Sequence, residues 1–288
     1  MRWQGRRQSS NVDDRRGRGP GRGMTVGGGG LGIIVIALLI WALGGNPVSF
    51  LQNAGPMMSS GGSTSSQPIT PEEEQLAAFV RVVLADTEDV WNRLMPELGR
   101  SYREPTLVLF SGLVDSACGR ADASVGPFYC GADQQVYIDL AFYSQLKRDL
   151  GAPGDFAQAY VIAHEVGHHV QQLLGISPRV HEQQARLGGV EANRLSVRLE
   201  LQADFLAGVW AHHADAMSEI LEPGDVDEAL NAASRIGDDV LQKRARGSVV
   251  PDAFTHGTAA QRVRWFRLGL ETGDLSLMNT FDVPWDEL

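Results

Sequence analysis

An α+β fold, mainly helical with a small β-sheet and preceded by one transmembrane helix, is what this sequence predicts. Apolar residues recur at helical spacing in several long capped segments, two short β-type runs lie between the first and second of these, and the 20 residues from Val26 to Gly45 carry no charge. Hydrophobic content of 43% and charged content of 21% are those of a globular protein, and 288 residues suffice for one or two domains.

The N-terminal elements follow from charge and hydropathy. Residues 1–23 hold seven Arg against two Asp, whereas the whole chain carries −10. So acidic a body argues against a nucleic-acid partner, because phosphate contacts need a basic face. Leu31 to Leu43 is strongly apolar, and Val26 to Gly45 is long enough to cross about 30 Å of hydrocarbon at about 1.5 Å per residue. A long basic region precedes it and no clear cleavage site follows, so a retained anchor is expected rather than a signal peptide. The expected order is a basic cytoplasmic tail at 1–25, a single-pass membrane anchor at 26–45, a Ser/Gly-rich linker at 46–69, and an extracytoplasmic domain at 70–288.

In the body, Thr70-Pro71-Glu72-Glu73 reads as a capping box opening a helix that runs to about Met95. Thr106–Phe110 and Gln135–Asp139 are β-type runs, with a hairpin-like unit expected between them. Cys118 and Cys130, the only two cysteines, lie in that interval, and an extracytoplasmic body would pair them as a disulfide. Asp155 is expected to cap a helix over about 156–174 that stops at Gly175. Further helices are expected at about 190–213, from Asp225 to about Arg246, and after Thr258 with Gln261.

The chemistry lies on the 156–174 helix, which carries His164-Glu165-Val166-Gly167-His168. Histidines four apart share one helix face, one turn from each other, and two neutral imidazoles there can bind one Zn²⁺. Glu165 is turned by roughly 100° from His164, so it can act on water as general base without becoming a ligand. Gly167 costs about 1 kcal/mol in mid-helix, which calls for a close neighbour or room at the metal. For the third ligand, Glu200 of Glu200-Leu201-Gln202-Ala203-Asp204 is preferred over Glu191 and Glu182. Asp204, four residues on, would fix an imidazole tautomer from behind. His169 is rotated off the ligand face. His256, Tyr137 and Tyr160 are the candidates for stabilising the oxyanion, and the strand Val136–Asp139 could pair with a peptide.

His164 to Gln171, the Glu200–Asp204 run, Gly126-Pro127-Phe128-Tyr129-Cys130, Val136–Asp139, Thr255-His256-Gly257-Thr258, Gln261-Arg262 and Trp265-Phe266 together resemble the bacterial neutral zinc metallopeptidase family. That family is similar to the Glu-zincin group, in which the Glu of Glu-x-x-x-Asp is the third ligand, and the resemblance implies Glu200. It also implies a zincin-like metallopeptidase domain. The expected activity is a membrane-anchored, zinc-dependent hydrolysis of peptide bonds, with a zinc-activated water, Glu165 as general base and a polypeptide substrate. The alternative is a non-catalytic, zinc-stabilised binding module, which would have no use for a base beside an open coordination position.

Overall fold

Thr70 begins the ordered body as its side chain requires: it accepts from the Glu73 amide while the Glu73 carboxylate accepts from the Thr70 amide. A computed structural model of the chain describes residues 1–17, 69–122 and 125–288. The capped helix α1 spans Pro71–Leu94 and leads through a short 3₁₀ turn to strand β2 at Thr106–Phe110. The first strand, β1, is Val12–Asp14, from the N-terminal segment. β3 (Leu113–Ser116) and β4 (Gly119–Asp122) form a separate antiparallel hairpin, and β5 (Phe128–Cys130) and β6 (Gln135–Asp139) follow. The remaining helices are α2 (Ala141–Arg148), α3 (Asp155–Leu173), α4 (Ile176–Gln184), α5 (Gly189–Ser218), α6 (Asp225–Arg235), α7 (Asp238–Arg246) and α8 (Ala259–Thr272).

The main sheet runs β1-β2-β6-β5, with β1 and β6 parallel to β2 and β5 antiparallel to β6. The two β-type runs of the sequence therefore pair in parallel and not as a hairpin. Their long connection, holding the β3–β4 hairpin and β5, is the crossover that parallel strands need. β6 is paired on both sides, so the open edge facing away from β1 belongs to β5. Cys118, in the β3–β4 turn, is disulfide-bonded to Cys130 at the end of β5, and so ties the small hairpin to that edge.

The N-terminal segment overturns the expected topology. Residues 1–17 lie on the body, with Val12, Asp13 and Asp14 in register beside Leu107, Val108 and Leu109. Arg6 meets the buried Asp86 at 2.8 Å, Arg7 meets the buried Glu88 at 2.9 Å, and Arg16 reaches Glu74 at 2.9 Å. Arg6, Arg7 and Arg16, read as part of a cytoplasmic signal, are thus paired with acids of α1. A tail in contact with the body cannot lie across a membrane from it, which corrects both the fold class with its preceding transmembrane helix and the single-pass localisation. Among the described residues no helix is long and apolar enough to cross a membrane. The stretch 26–45 and most of 46–69 lie outside them.

Three long helices, α3, α5 and α8, make the centre of the core around Phe156, Tyr160, Phe205, Trp210 and Phe266. They pack closely because of glycine. A Cβ on Gly208 of α5 would lie 2.1 Å from the Phe266 carbonyl oxygen, and one on Gly269 of α8 would lie 2.1 Å from that of Phe205. A Cβ on Gly167 of α3 would be 3.0 Å from the Ala203 carbonyl oxygen, so the mid-helix glycine marks the close crossing of α3 and α5. Two sequence-level boundaries change. Asp155 is the first residue of α3, after Gly154 at the cap, and its carboxylate meets the Met1 ammonium at 2.6 Å. The segment 225–246 breaks at Ile236-Gly237 into α6 and α7, where a Cβ on Gly237 would collide with the Ala259 backbone.

Candidate metal centre

The crossing of α3 and α5 brings His164, His168 and Glu200 together, with one donor atom from each lying within 4.8 Å of the others. His164 Nε2 is 3.2 Å from one Glu200 oxygen, and His168 Nε2 is 3.5 Å from the other. Donors about 2.0–2.1 Å from a tetrahedral Zn²⁺ stand about 3.3 Å apart, so both distances fit one ion. Glu182 and Glu191 instead form exposed ion pairs with Arg186 and Arg194, away from the group.

Partners behind the triad fix which nitrogen faces it. His164 Nδ1 lies 2.9 Å from the Asp204 carboxylate, and His168 Nδ1 lies 2.9 Å from the Gln171 side-chain oxygen. An Nδ1–H that donates backward leaves each Nε2 on the Glu200 side, where its lone pair would face a bound cation. Gln171 is held in turn by its own donation to the Leu199 carbonyl oxygen at 2.7 Å. Asp204 is fully buried and accepts from the Tyr160 hydroxyl and, at 2.8 and 3.0 Å, from the Arg262 guanidinium. Arg262 itself is 3% exposed, so this is a buried ion pair in the bidentate geometry that such pairs need.

The charge balance agrees with a cation site. Burial alone would lower the pKa of both imidazoles. Asp204 and Glu200 reverse that, pushing His164 up to about 10 and His168 above its ordinary value. Burial would likewise raise Glu200, yet His168 and the hydrogen bonds from both imidazoles hold it well below the carboxylate range. Acids that draw protons onto two imidazoles are short of a positive charge, which a divalent ion would supply. Glu165 lies beside the triad and is buried, which raises its pKa; His164, His168 and a hydrogen bond from the Tyr129 backbone amide oppose that rise in part.

These groups open onto a cleft of about 470 Å³ lined by Tyr129 of β5, Val161 and Glu165 of α3, Glu200, and His256. His256 is half-exposed, its Nδ1 3.2 Å from Asp238, which also accepts from the backbone amides of Thr255 and His256 at 2.7 Å. Burial alone would lower the His256 pKa, but the Asp238 hydrogen bond and the charges of Glu200 and Asp238 raise it. The other two oxyanion candidates stand differently. The Tyr137 hydroxyl is spent on Asp133 at 2.7 Å, and that of Tyr160 on Asp204.

Asp238, Gln171 and Arg262 had no role assigned from sequence. Gln171 stands one turn after His168, a helical spacing that could have signalled its role. His169 also has a defined place: its Nε2–H donates to the Arg103 carbonyl oxygen at 2.6 Å, and its Nδ1 accepts from the Tyr129 hydroxyl at 3.0 Å. It thus braces β5 against α3. Burial is the main reason its pKa falls to about 4. Because the unfolded ring titrates near 6.5, the unfolded chain binds the extra proton between those values, and stability falls as pH drops from about 6.5 to 4. The loss should reach about 3 kcal/mol at the acid end. Denaturant unfolding in chelator at pH 7.5 and 4.5 should show His169→Gln losing about 2 kcal/mol less than the parent; equal losses would refute the assignment.

The chain matches the family model described as "Putative neutral zinc metallopeptidase" over residues 1–281, a span that includes the N-terminal strand. It is 49% identical over 288 residues to "Uncharacterized protein YpfJ" of Escherichia coli (strain K12), covering 98% of this chain and 99% of that protein. It is 44% identical over 202 residues to "Uncharacterized protein Rv2575" of Mycobacterium tuberculosis (strain ATCC 25618 / H37Rv), covering 67% of this chain and 66% of that protein. No solved structure matches it.

Proposed function

Since the chain belongs to the neutral zinc metallopeptidase family, we propose that it hydrolyses peptide bonds, with His164, His168 and Glu200 as zinc ligands and Glu165 as general base. The observation that carries this reading is the convergence of three donor atoms within 4.8 Å, beside a buried carboxylate, on the wall of a cleft. A bound zinc ion supplies Lewis acidity, polarising the scissile carbonyl and making water easier to deprotonate. Glu165 accepts the proton from the attacking water and delivers it to the leaving amine, a task suited by a pKa raised through burial. Asp204 and Gln171 hold the two imidazoles in the tautomer that presents Nε2. His256, oriented by Asp238, donates a hydrogen bond to the oxyanion as it develops. The substrate backbone pairs with the open edge of β5, in place of the enclosed β6 suggested by sequence. A structural zinc site would recruit a fourth protein donor, whereas this group, among the described residues, holds three.

The test is metal content and peptide hydrolysis by the full chain. Glu200→Ala should weaken zinc binding by more than about 100-fold, beyond the 10- to 100-fold typical of partners behind a ligand, and abolish turnover. Full zinc retention by this variant would remove Glu200 from the ligand set, and with it the proposed centre.

A further inference from the structure

The cleft divides into a polar part at the triad and an apolar part next to it. Val161 lies one turn before His164 and Glu165 on α3, and it is buried against the cleft floor. Ile236 also lines the cleft, and its carbonyl oxygen lies 3.4 Å from Arg262, which is bound to Asp204. From α7, Leu241 adds a side chain that is 36% exposed. Val125, 53% exposed, and Phe142 also line the cleft. The Phe142 ring lies where a Cβ on Gly126 would touch it at 3.5 Å, and Gly126 has φ +78°. The positive φ favours glycine at this bend, which lies in contact with the ring.

Aliphatic and aromatic side chains left open to water around a concave site gain free energy when an apolar group covers them, about 25 cal/mol per Å². A helical turn is about 5.4 Å, between one and two extended residues of about 3.4 Å, so the apolar part sits within two side chains of a bond held at the triad. We infer that Val161, Ile236, Leu241, Phe142 and Val125 form a subsite for a bulky apolar side chain within two residues of the scissile bond, making extended polypeptides with Leu, Met or Phe there the substrate class. This rests on the peptidase reading above.

The experiment uses the zinc-loaded full chain on a mixed peptide library, with cut sites read by mass spectrometry. Leu or Phe should exceed Ala or Asp in kcat/KM by at least about 10-fold at one fixed flanking position. Leu241→Glu, at a partly exposed site, should reduce that ratio at least about 10-fold and bring Lys or Arg into favour at the same position. Cleavage with no side-chain preference there, or the parent preference retained by Leu241→Glu, would overturn the subsite. Binding of fluorescent Leu- and Asp-bearing peptides to Glu165→Gln separates the two readings. A 10-fold preference for the Leu peptide, with no hydrolysis by the parent, would uphold the subsite and sink the peptidase. Equal binding would sink the subsite whatever the turnover.

Discussion

Replacing Glu165 with Gln is expected to leave zinc content unchanged and to slow peptide hydrolysis by roughly 10²- to 10⁴-fold, the range general acid–base groups contribute. Glu165 is on the helix of the two imidazoles but off their face, so the isosteric amide leaves Glu200 and both Nε2 atoms where they are. What the amide lacks is a basic oxygen to accept the proton from water. The amide also removes a buried negative charge. In the parent, burial and the neighbouring Glu200 raise the Glu165 pKa, while the imidazoles and the Tyr129 amide restrain it. The variant should therefore fold at least as stably as the parent. Metal analysis, kinetics and thermal unfolding on one preparation decide the matter. Turnover equal to the parent with the metal bound would eliminate Glu165 as the base.

Asp204→Ala is expected to cost about 3–5 kcal/mol of stability and to lower zinc affinity 10- to 100-fold. Both effects come from one carboxylate. Its loss leaves the Arg262 guanidinium as a buried charge with no counter-ion, deprives the Tyr160 hydroxyl of its acceptor, and frees His164 to rotate or change tautomer. The stability part follows from burial of the cation. Asp204→Ala combined with Arg262→Met should recover most of the stability, since an apolar replacement of a whole buried pair is often neutral. The metal part should not recover, because His164 still lacks its Nδ1 acceptor. Denaturant unfolding and zinc competition titrations read the two separately. A loss below about 1 kcal/mol in the single variant would show that Arg262 finds another partner.

What could be read from the sequence was what helical periodicity encodes. His164 and His168 share a face because they are four apart, Glu200 and Asp204 likewise, and Thr70 and Thr258 announce their helices by local capping chemistry. What could not be read depends on contacts between distant segments. Asp238 reveals its role only through the turn that places it under His256, and a helix pattern continuous from 225 to 246 hides the Ile236-Gly237 break that makes that turn. Arg262 lies on an amphipathic helix and reads as surface until α8 presses it between α3 and α5. The largest misreading came from Arg6, Arg7 and Arg16. A basic run ahead of an apolar stretch has the composition of a topology signal, and its acid partners on α1 lie 58 to 82 residues away, where no local pattern points to them. Gly167 shows the intermediate case, since its presence in mid-helix signalled a close approach but not that Ala203 makes it.

The N-terminal strand has a practical consequence for anyone preparing the protein. Trimming the chain to begin at Thr70, the natural choice for a tractable recombinant fragment, would strip β2 of a neighbour and bare a row of unpaired amides and carbonyls beside Leu107 and Leu109. Such a rim invites self-association into ribbons. It would also strand Asp86 and Glu88, 5% and 2% exposed, without the guanidinium groups that balance them. Purification schemes should keep the first 17 residues.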